Sequence, residues 1–507
     1  MRVLFATAEA YPLAKTGGLA DVSRSLPISL RQLGVDVRLL MPAYPRAYLR
    51  IENPKIVARI PAALGVSDAT LLAGTFPDAD LPVYLIDSPS LFRRVGGLYQ
   101  DEHGAPWPDN PLRFAFLAHV GREIAMGRLG IDFRPDVVHA NDWHAGLLPL
   151  FLSLEDAPKP ATVFTTHNMA FQGNCPAEWL GRLTIPGAFF SPGGVEFYGQ
   201  ISFLKAGLRY ADRVTTVSPT YAQEILTKEF GCGMHGVLAE RGSDFSGILN
   251  GIDDALWNPA DDPVLVRPYH ESDISGKRSC KAALQAEFDL AVQSETPVLG
   301  FVSRLTDQKM ADVILEILPW LVEQDMQCIV VGEGDPALEA AFDQARELYR
   351  DKVAVIIGYD EPLAHKLQAG SDILLAPARF EPCGLTQLYA LRYGSLPVVR
   401  RTGGLADTVV DATATSIADR TATGFVFDAP AADDLKQAVA RALSLYREPL
   451  IWRRLQLQAM AQNYSWTTSA RQYTALYSEA SGITIDIGTA GATPMAASQQ
   501  TSRQAAS

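Results

Sequence analysis

The hexapeptide Thr-Gly-Gly-Leu-Ala-Asp occurs at residues 16–21 and again at residues 402–407. A basic residue precedes each copy, Lys15 or Arg401. An apolar run that reads as a strand lies shortly upstream, at 3–6 or 396–399. Paired glycines between a strand and a helix let the backbone approach a ligand closely, because no Cβ intervenes. The same device near both ends of the chain points to two strand–loop–helix domains facing one ligand, an arrangement suited to a nucleotide or a sugar phosphate. Either loop alone also reads as a tight turn. The repetition, each time behind a cation, favours binding.

The rest of the chain fits that division. Strands are predicted at 35–41, 83–87, 137–140, 162–166 and 213–217, with a helix at about 22–33 and an amphipathic helix at 112–126. Residues 55–82 read as an excursion with small strands. A looser stretch follows, rich in Pro, Asp, Ser and Lys. A second strand series then runs through 298–302, 328–331, 353–357, 373–376 and 396–399, with a helix at about 432–445 and terminal helices over 450–480. Short, continuous apolar strands alternating with helices imply an α/β fold of two doubly wound parallel sheets with a cleft between them. Ligands bind at the carboxyl ends of such strands.

Length and composition remove other classes. A chain of 507 residues is too long for one core. The net charge is −13 and no Lys/Arg-rich run stands out, which argues against nucleic acid and anionic membrane as partners. The five cysteines are scattered without a CxxC, as expected of free thiols in a reducing cytoplasm. Glu9 interrupts the N-terminal apolar run, which therefore reads as a strand and not as a signal peptide. No apolar stretch reaches the roughly 18 residues of a membrane span.

The chemistry-bearing residues gather at predicted strand ends. Arg304 and Lys309 follow the strand at 298–302, where two cations could clamp a diphosphate or simply be solvated. Residues 332–337 match G-x-G-x-x-A, but Asp335 puts a negative charge where a phosphate would sit, so the segment reads as a tight turn. Tyr359 could stack on a base. Glu381, between Pro- and Gly-rich flanks, could accept hydrogen bonds from sugar hydroxyls or cap the helix predicted near Leu385. Backbone N–H groups there could bind a phosphate. In the first half the notable groups are Glu9, Lys15, Asp21, Asp142, His144 and His167; the histidines lack metal-site spacing, and Asp78 and Asp80 read as a solvated turn. With no metal motif, Lys15, Arg304 and Lys309 would have to neutralise a leaving diphosphate.

These motifs resemble the bacterial and plant glycogen (starch) synthase family. The resemblance is carried by Lys15-Thr-Gly-Gly-Leu-Ala-Asp21-Val22, His139-Ala-Asn-Asp-Trp-His144-Ala-Gly and Thr166-His-Asn168. It continues through Leu249-Asn-Gly-Ile-Asp253, Ser303-Arg-Leu-Thr-Asp-Gln-Lys309, Arg379-Phe-Glu-Pro-Cys-Gly-Leu-Thr386 and Arg401-Thr-Gly-Gly-Leu-Ala-Asp407. Their order matches from residue 1 to about 480. The resemblance implies a GT-B glycosyltransferase that moves glucose from ADP-glucose to the 4-hydroxyl of an α-1,4-glucan with retention, needing no cofactor and no metal. It implies donor binding by Lys15, Gly17 and Gly18, and diphosphate binding by Arg304, Lys309, Thr386 and the backbone of Cys383, Gly384 and Leu385. It implies adenine stacking by Tyr359, glucose contacts from His167, Asn250 and Glu381, and Asp21 and Asp142 lining the cleft.

Two positions depart from the pattern: Met310 stands where the family usually has Gly, and Tyr389 where the wider retaining set has a second Glu. The expected organisation is an acceptor-side Rossmann-like domain over 1–255, a linker over 256–296 and a nucleotide-sugar domain over 297–450. Crossover helices are expected over 451–480 and a disordered tail over 481–507. An NAD-dependent oxidoreductase resting on 332–337 would leave Lys15, Arg304, Lys309 and Glu381 without roles. A glucan-binding protein with a degenerate site would not need its charged groups intact.

Overall fold

A computed structural model describes residues 1–485; residues 486–507 of the expected tail lie outside the described residues. In chain order the strands of the first half are β1 (Arg2–Ala6), β2 (Asp36–Pro42), β3 (Glu52–Arg59), β4 (Thr70–Thr75), β5 (Pro82–Asp87), β6 (Val137–Asn141), β7 (Ala161–Thr166), β8 (Asn174–Pro176), β9 (Glu196–Phe197), β10 (Gln200–Ser202), β11 (Arg213–Thr216) and β12 (Phe245–Gly247). Nine of them form one sheet in the order β12-β11-β7-β6-β1-β2-β5-β4-β3, and β8, β10 and β9 form a small separate one. Pairing is parallel from β12 to β5 and antiparallel at the β5-β4-β3 edge. The excursion predicted at 55–82 is that edge. The central strands read as apolar runs because both faces are covered: Val3, Leu4, Phe5 and Ala6 are all fully buried.

The second half holds β13 (Val298–Val302), β14 (Gln327–Gly332), β15 (Val353–Ile357), β16 (Ile373–Ala376), β17 (Leu396–Arg400) and β18 (Phe425–Phe427). They are all parallel, in the order β15-β14-β13-β16-β17-β18. Each sheet has one place where the connections turn in opposite directions, between β1 and β6 and between β13 and β16. A crevice opens there at the carboxyl ends of the strands.

The helix Asn110–Ala125 corrects one expectation. It is not amphipathic but buried on every side, Arg113 included. The Arg113 guanidinium survives burial by donating to the carbonyls of Leu91 and Leu98 and to Asn110 Oδ1. The stretch 256–296 contains the helix Ser275–Glu287. At the C-terminus, the helix Pro449–Met460 packs into the second half through Trp452 and Leu455. The helix Trp466–Ser481 returns to the first, where Trp466, Tyr473 and Tyr477 join its core. Tyr477 Oη lies 2.7 Å from His139 Nδ1, and Ser469 Oγ donates to the Leu249 carbonyl. Two sheets with parallel cores and a helix crossing back make the GT-B arrangement.

Candidate functional site

At the end of β1, the first hexapeptide is fastened by Glu9. Its carboxylate accepts hydrogen bonds from Thr16 N, Thr16 Oγ1, Gly17 N and Tyr99 Oη. That grip fixes the loop where the helix Gly18–Gln32 begins and leaves Lys15 and Asp21 on the cleft side. Lys15 Nζ is 2.8 Å from Asp21 Oδ1 and 5.0 Å from the Tyr11 ring centroid. Burial works against the Lys15 ammonium, but the charge and hydrogen bond of Asp21 outweigh it and raise its pKa. Burial raises the Asp21 pKa against the pull of Lys15.

At the end of β6, Asp142 takes a left-handed backbone conformation, φ 55°. Its Oδ1 accepts from the His167 N–H at 2.7 Å, and His167 Nε2 lies 3.1 Å from Asn141 Oδ1. Burial pushes the Asp142 carboxyl up to about 7, and holds the His167 imidazole down at about 3. His167 is therefore neutral at physiological pH. It donates from Nε2 to Asn141, so Nδ1 is left as an acceptor. His144, two residues after Asp142, serves packing: its ring stacks on Trp143 and Tyr99 with centroids 4.1 and 4.6 Å apart.

The opposite wall is built from the ends of β13 and β16. Arg304 is exposed, with Nη2 3.2 Å from Gln308 Oε1. The Lys309 ammonium is ion-paired to the Glu381 carboxylate. Met310, directly after it, is left-handed at φ 53° and fully buried. That backbone geometry is the physical reason a Gly suits the position. Glu381 sits in a loop held by Arg379, whose guanidinium reaches the Asp312 carboxylate with contacts of 2.9 and 2.7 Å. Gly384, at φ 76°, turns the chain into the short helix Thr386–Arg392. Ser303, Lys309, Pro377, Glu381, Gly384 and Thr386 line one pocket. Cys383 is buried beside it, its thiol pushed up to about 12 by burial.

The two walls meet. A Cβ on Gly18 would lie 4.0 Å from Leu385 Cδ1. Lys15 feels the charges of Tyr359 and Glu361 across the cleft, and the Tyr359 ring is 55% exposed, open to a stacking partner. Asn250, between the halves, has a buried Oδ1 without a hydrogen-bond partner among the described residues. Its backbone faces the Cys383 thiol.

The remaining sequence features fall elsewhere. Arg401 pairs with Asp428 on the exposed surface, at 2.8 Å. The glycines of 332–337 serve packing: a Cβ on Gly332 would lie 1.9 Å from the Ser303 carbonyl oxygen, and one on Gly334 2.3 Å from that of Leu305. Asp335 caps the helix Pro336–Leu348 through Ala337 N and Leu338 N. The segment supports the Arg304 loop rather than a dinucleotide. Asp80 is a surface partner of Arg31.

Residues 2–240 match the family model described as starch synthase catalytic domain, and residues 285–455 match glycosyl transferases group 1. A glycogen synthase of Burkholderia thailandensis is 52% identical over 94% of this chain and 90% of its own length. This chain belongs to the glycogen and starch synthase family. Glycogen synthase 1 of Methylococcus capsulatus is 49% identical over 95% of this chain and 97% of its own. The catalytic domain of starch synthase IV from Arabidopsis thaliana, solved bound to ADP and acarbose, superposes with a TM-score of 0.85 at 31% identity. That match covers 95% of this chain and 99% of the plant domain. A sucrose-phosphate synthase from Thermosynechococcus elongatus shares the fold, with a TM-score of 0.57 at 16% identity over 94% of this chain and 98% of its own.

In this glycosyltransferase, sequence reasoning left four structural partners without a role. Glu9 was visible as a charged interruption of an apolar run, but not as the anchor of the loop. Asn141 lies inside the motif that ends β6, but nothing local marks it as the partner of His167, and Tyr99 carries no local signal. Glu224, which accepts from Thr402 Oγ1 and Gly403 N of the second hexapeptide, is far away in sequence.

Proposed function

We propose that this family member transfers glucose from ADP-glucose to the 4-hydroxyl at the non-reducing end of an α-1,4-glucan, retaining the anomeric configuration. The observation that carries the reading is the convergence of Lys309, Glu381, Gly384 and Thr386 on one pocket facing Lys15 and Gly18. Cations and backbone N–H groups on one wall suit a diphosphate, and carboxylate and amide groups beside them suit sugar hydroxyls. The plant relative was solved bound to ADP and acarbose, which supports an adenine nucleotide and a glucan as ligands.

In this reading Arg304 and Lys309 hold the diphosphate, with Lys15 adding a third cation from the facing domain. As the glycosidic bond to phosphate lengthens, the sugar becomes oxocarbenium-like and negative charge grows on the leaving group. Three cations gathered at the cleft stabilise that charge once the diphosphate has drawn Lys309 from Glu381 and Lys15 from Asp21. Glu381, His167 and Asn250 hold the glucose hydroxyls, and Tyr359 covers the base. Closure of the two walls keeps water from the donor.

Retention needs a carboxylate nucleophile or attack from the leaving-group face. Neither candidate carboxylate is well disposed to attack. Glu381 is tied to Lys309, and Asp142 is held by the His167 N–H with its pKa raised to about 7. We therefore favour same-face attack, with the departing phosphate oxygen taking the acceptor proton. The test is turnover of the full chain with a glucan primer and either ADP-glucose or UDP-glucose. ADP-glucose should give nucleotide release with chain elongation. No turnover with either donor refutes the reading.

A further inference from the structure

The two hexapeptides are gripped alike, by partners of different origin. Glu9, from the same domain, takes the Thr16 hydroxyl and the Gly17 N–H. Glu224, 178 residues before the second copy and in the opposite half, takes the Thr402 hydroxyl and, with the same Oε1, the Gly403 N–H, each at 2.9 Å. The terminal Asp differs as well. Asp21 pairs with Lys15, whereas Asp407 accepts from Thr220 N at 2.9 Å and Thr220 Oγ1 at 2.6 Å. Thr220 and Glu224 lie on one short helix, Pro219–Glu224, which follows β11. Ser218, at its start, donates through Oγ to the Pro382 carbonyl at 2.7 Å.

The second copy in turn presses on the loop that carries Glu381. Gly404 N donates to the Glu381 carbonyl at 3.1 Å. Gly403 is left-handed at φ 42°, and a Cβ there would lie 1.8 Å from that same oxygen. A Cβ on Gly404 would lie 2.2 Å from the Cys383 carbonyl oxygen. The paired glycines thus allow backbone to lie on backbone, and the ligand of this loop is the neighbouring polypeptide.

We propose that the second hexapeptide is a positioning element. Clamped by Thr220 and Glu224 of the acceptor-side half, it sets the Glu381–Gly384 loop at a fixed place relative to that half. The inference rests on the reading of Glu381 as a donor-glucose contact. It assigns Glu224, Thr220 and Asp407 as positioning residues that act through the loop backbone. The two copies are then not two ligand loops: one faces the cleft, and the other is a joint between domains.

The experiment compares wild type, Glu224→Ala and Glu224→Gln in the full chain. The glutamine keeps an oxygen to accept from Thr402 and Gly403 and drops only the charge. Glu224→Ala should lower kcat about tenfold, as expected when a reacting group is held out of place. It should leave the donor KM within about twofold and raise the share of ADP-glucose hydrolysed instead of transferred. Its melting temperature should fall by a few degrees at most, as expected when the buried Thr402 hydroxyl and the Gly403 N–H lose their acceptor, and Glu224→Gln should restore kcat. Small-angle scattering reads the joint without turnover: Glu224→Ala should have a larger radius of gyration than wild type. Wild-type kcat and hydrolysis share in Glu224→Ala, with active wild type, overturn the inference and leave the proposed function standing. A wild type inert toward ADP-glucose refutes the proposed function, and the scattering arm then decides the joint, an unchanged radius overturning it.

Discussion

The Lys309 ammonium and the Glu381 carboxylate are ion-paired across 72 residues of chain, at the point where the ends of β13 and β16 meet. Each group neutralises the other until a ligand arrives. A diphosphate would compete with Glu381 for Lys309. Glu381→Gln should therefore tighten ADP binding several-fold while lowering kcat at least about tenfold, a loss of over about 1.4 kcal/mol of transition-state stabilisation. Lys309→Ala should weaken ADP binding and lower kcat together. Calorimetric ADP affinities beside initial rates check the pair, and equal ADP affinity in all three proteins contradicts it.

Met310 carries two opposed effects. A left-handed conformation costs a non-glycine residue about 1–2 kcal/mol, while truncating a buried methionine costs about 2–5 kcal/mol. Its side chain is fully buried in the second core, so packing wins. Met310→Gly should lower stability by about 1–3 kcal/mol despite restoring the residue the family usually carries. A higher melting temperature in that variant contradicts the balance.

The strand ends and both hexapeptides were legible because buried parallel strands read as apolar runs with polar stops. The helix Asn110–Ala125 reads as amphipathic because charged residues mark its sequence, yet Arg113 and Glu123 are buried, Arg113 being satisfied by the carbonyls of Leu91 and Leu98, which no local pattern reports. Gly332 and Gly334 resembled a dinucleotide loop because close approach to a backbone and close approach to a phosphate need the same residue. The partners of the second hexapeptide were not legible, since Glu224 meets Thr402 only when the halves dock. Burial, which sets the protonation of Asp142 and His167, is likewise a property of the packed chain.

Asp142 should leave a mark on stability. Burial first, then the charge of Glu9, raises its pKa from 3.8 to about 7, so the folded chain holds this proton more tightly than the unfolded chain. The stabilisation is fully present below about pH 4 and is lost as pH rises through about 7, amounting to about 4 kcal/mol. His139 and His167 act oppositely. Both are held at about 3 by burial, so their contribution is present above about pH 6.5 and is lost as pH falls toward 3. Comparison with Asp142→Asn isolates the carboxyl. Urea melts should show the variant gaining on wild type by about 4 kcal/mol between about pH 4 and pH 8; a difference independent of pH contradicts the assignment.

Tyr359 offers an exposed ring at the cleft, facing Lys15. Stacking of a base on such a ring is worth about 1–3 kcal/mol. Tyr359→Ala should raise the donor KM about fivefold or more with a smaller change in kcat, and Tyr359→Phe should stay near wild type. Equal donor KM in all three proteins removes Tyr359 from the nucleotide site.

Retaining transfer to a glucan from a cleft that excludes water leaves its mark on the product. The most direct measurement follows 13C-labelled ADP-glucose by NMR in the presence of a glucan primer. The label should appear α-linked at the non-reducing end, with ADP released in equal amount. β-Linked label, or label recovered only as free glucose, would contradict it.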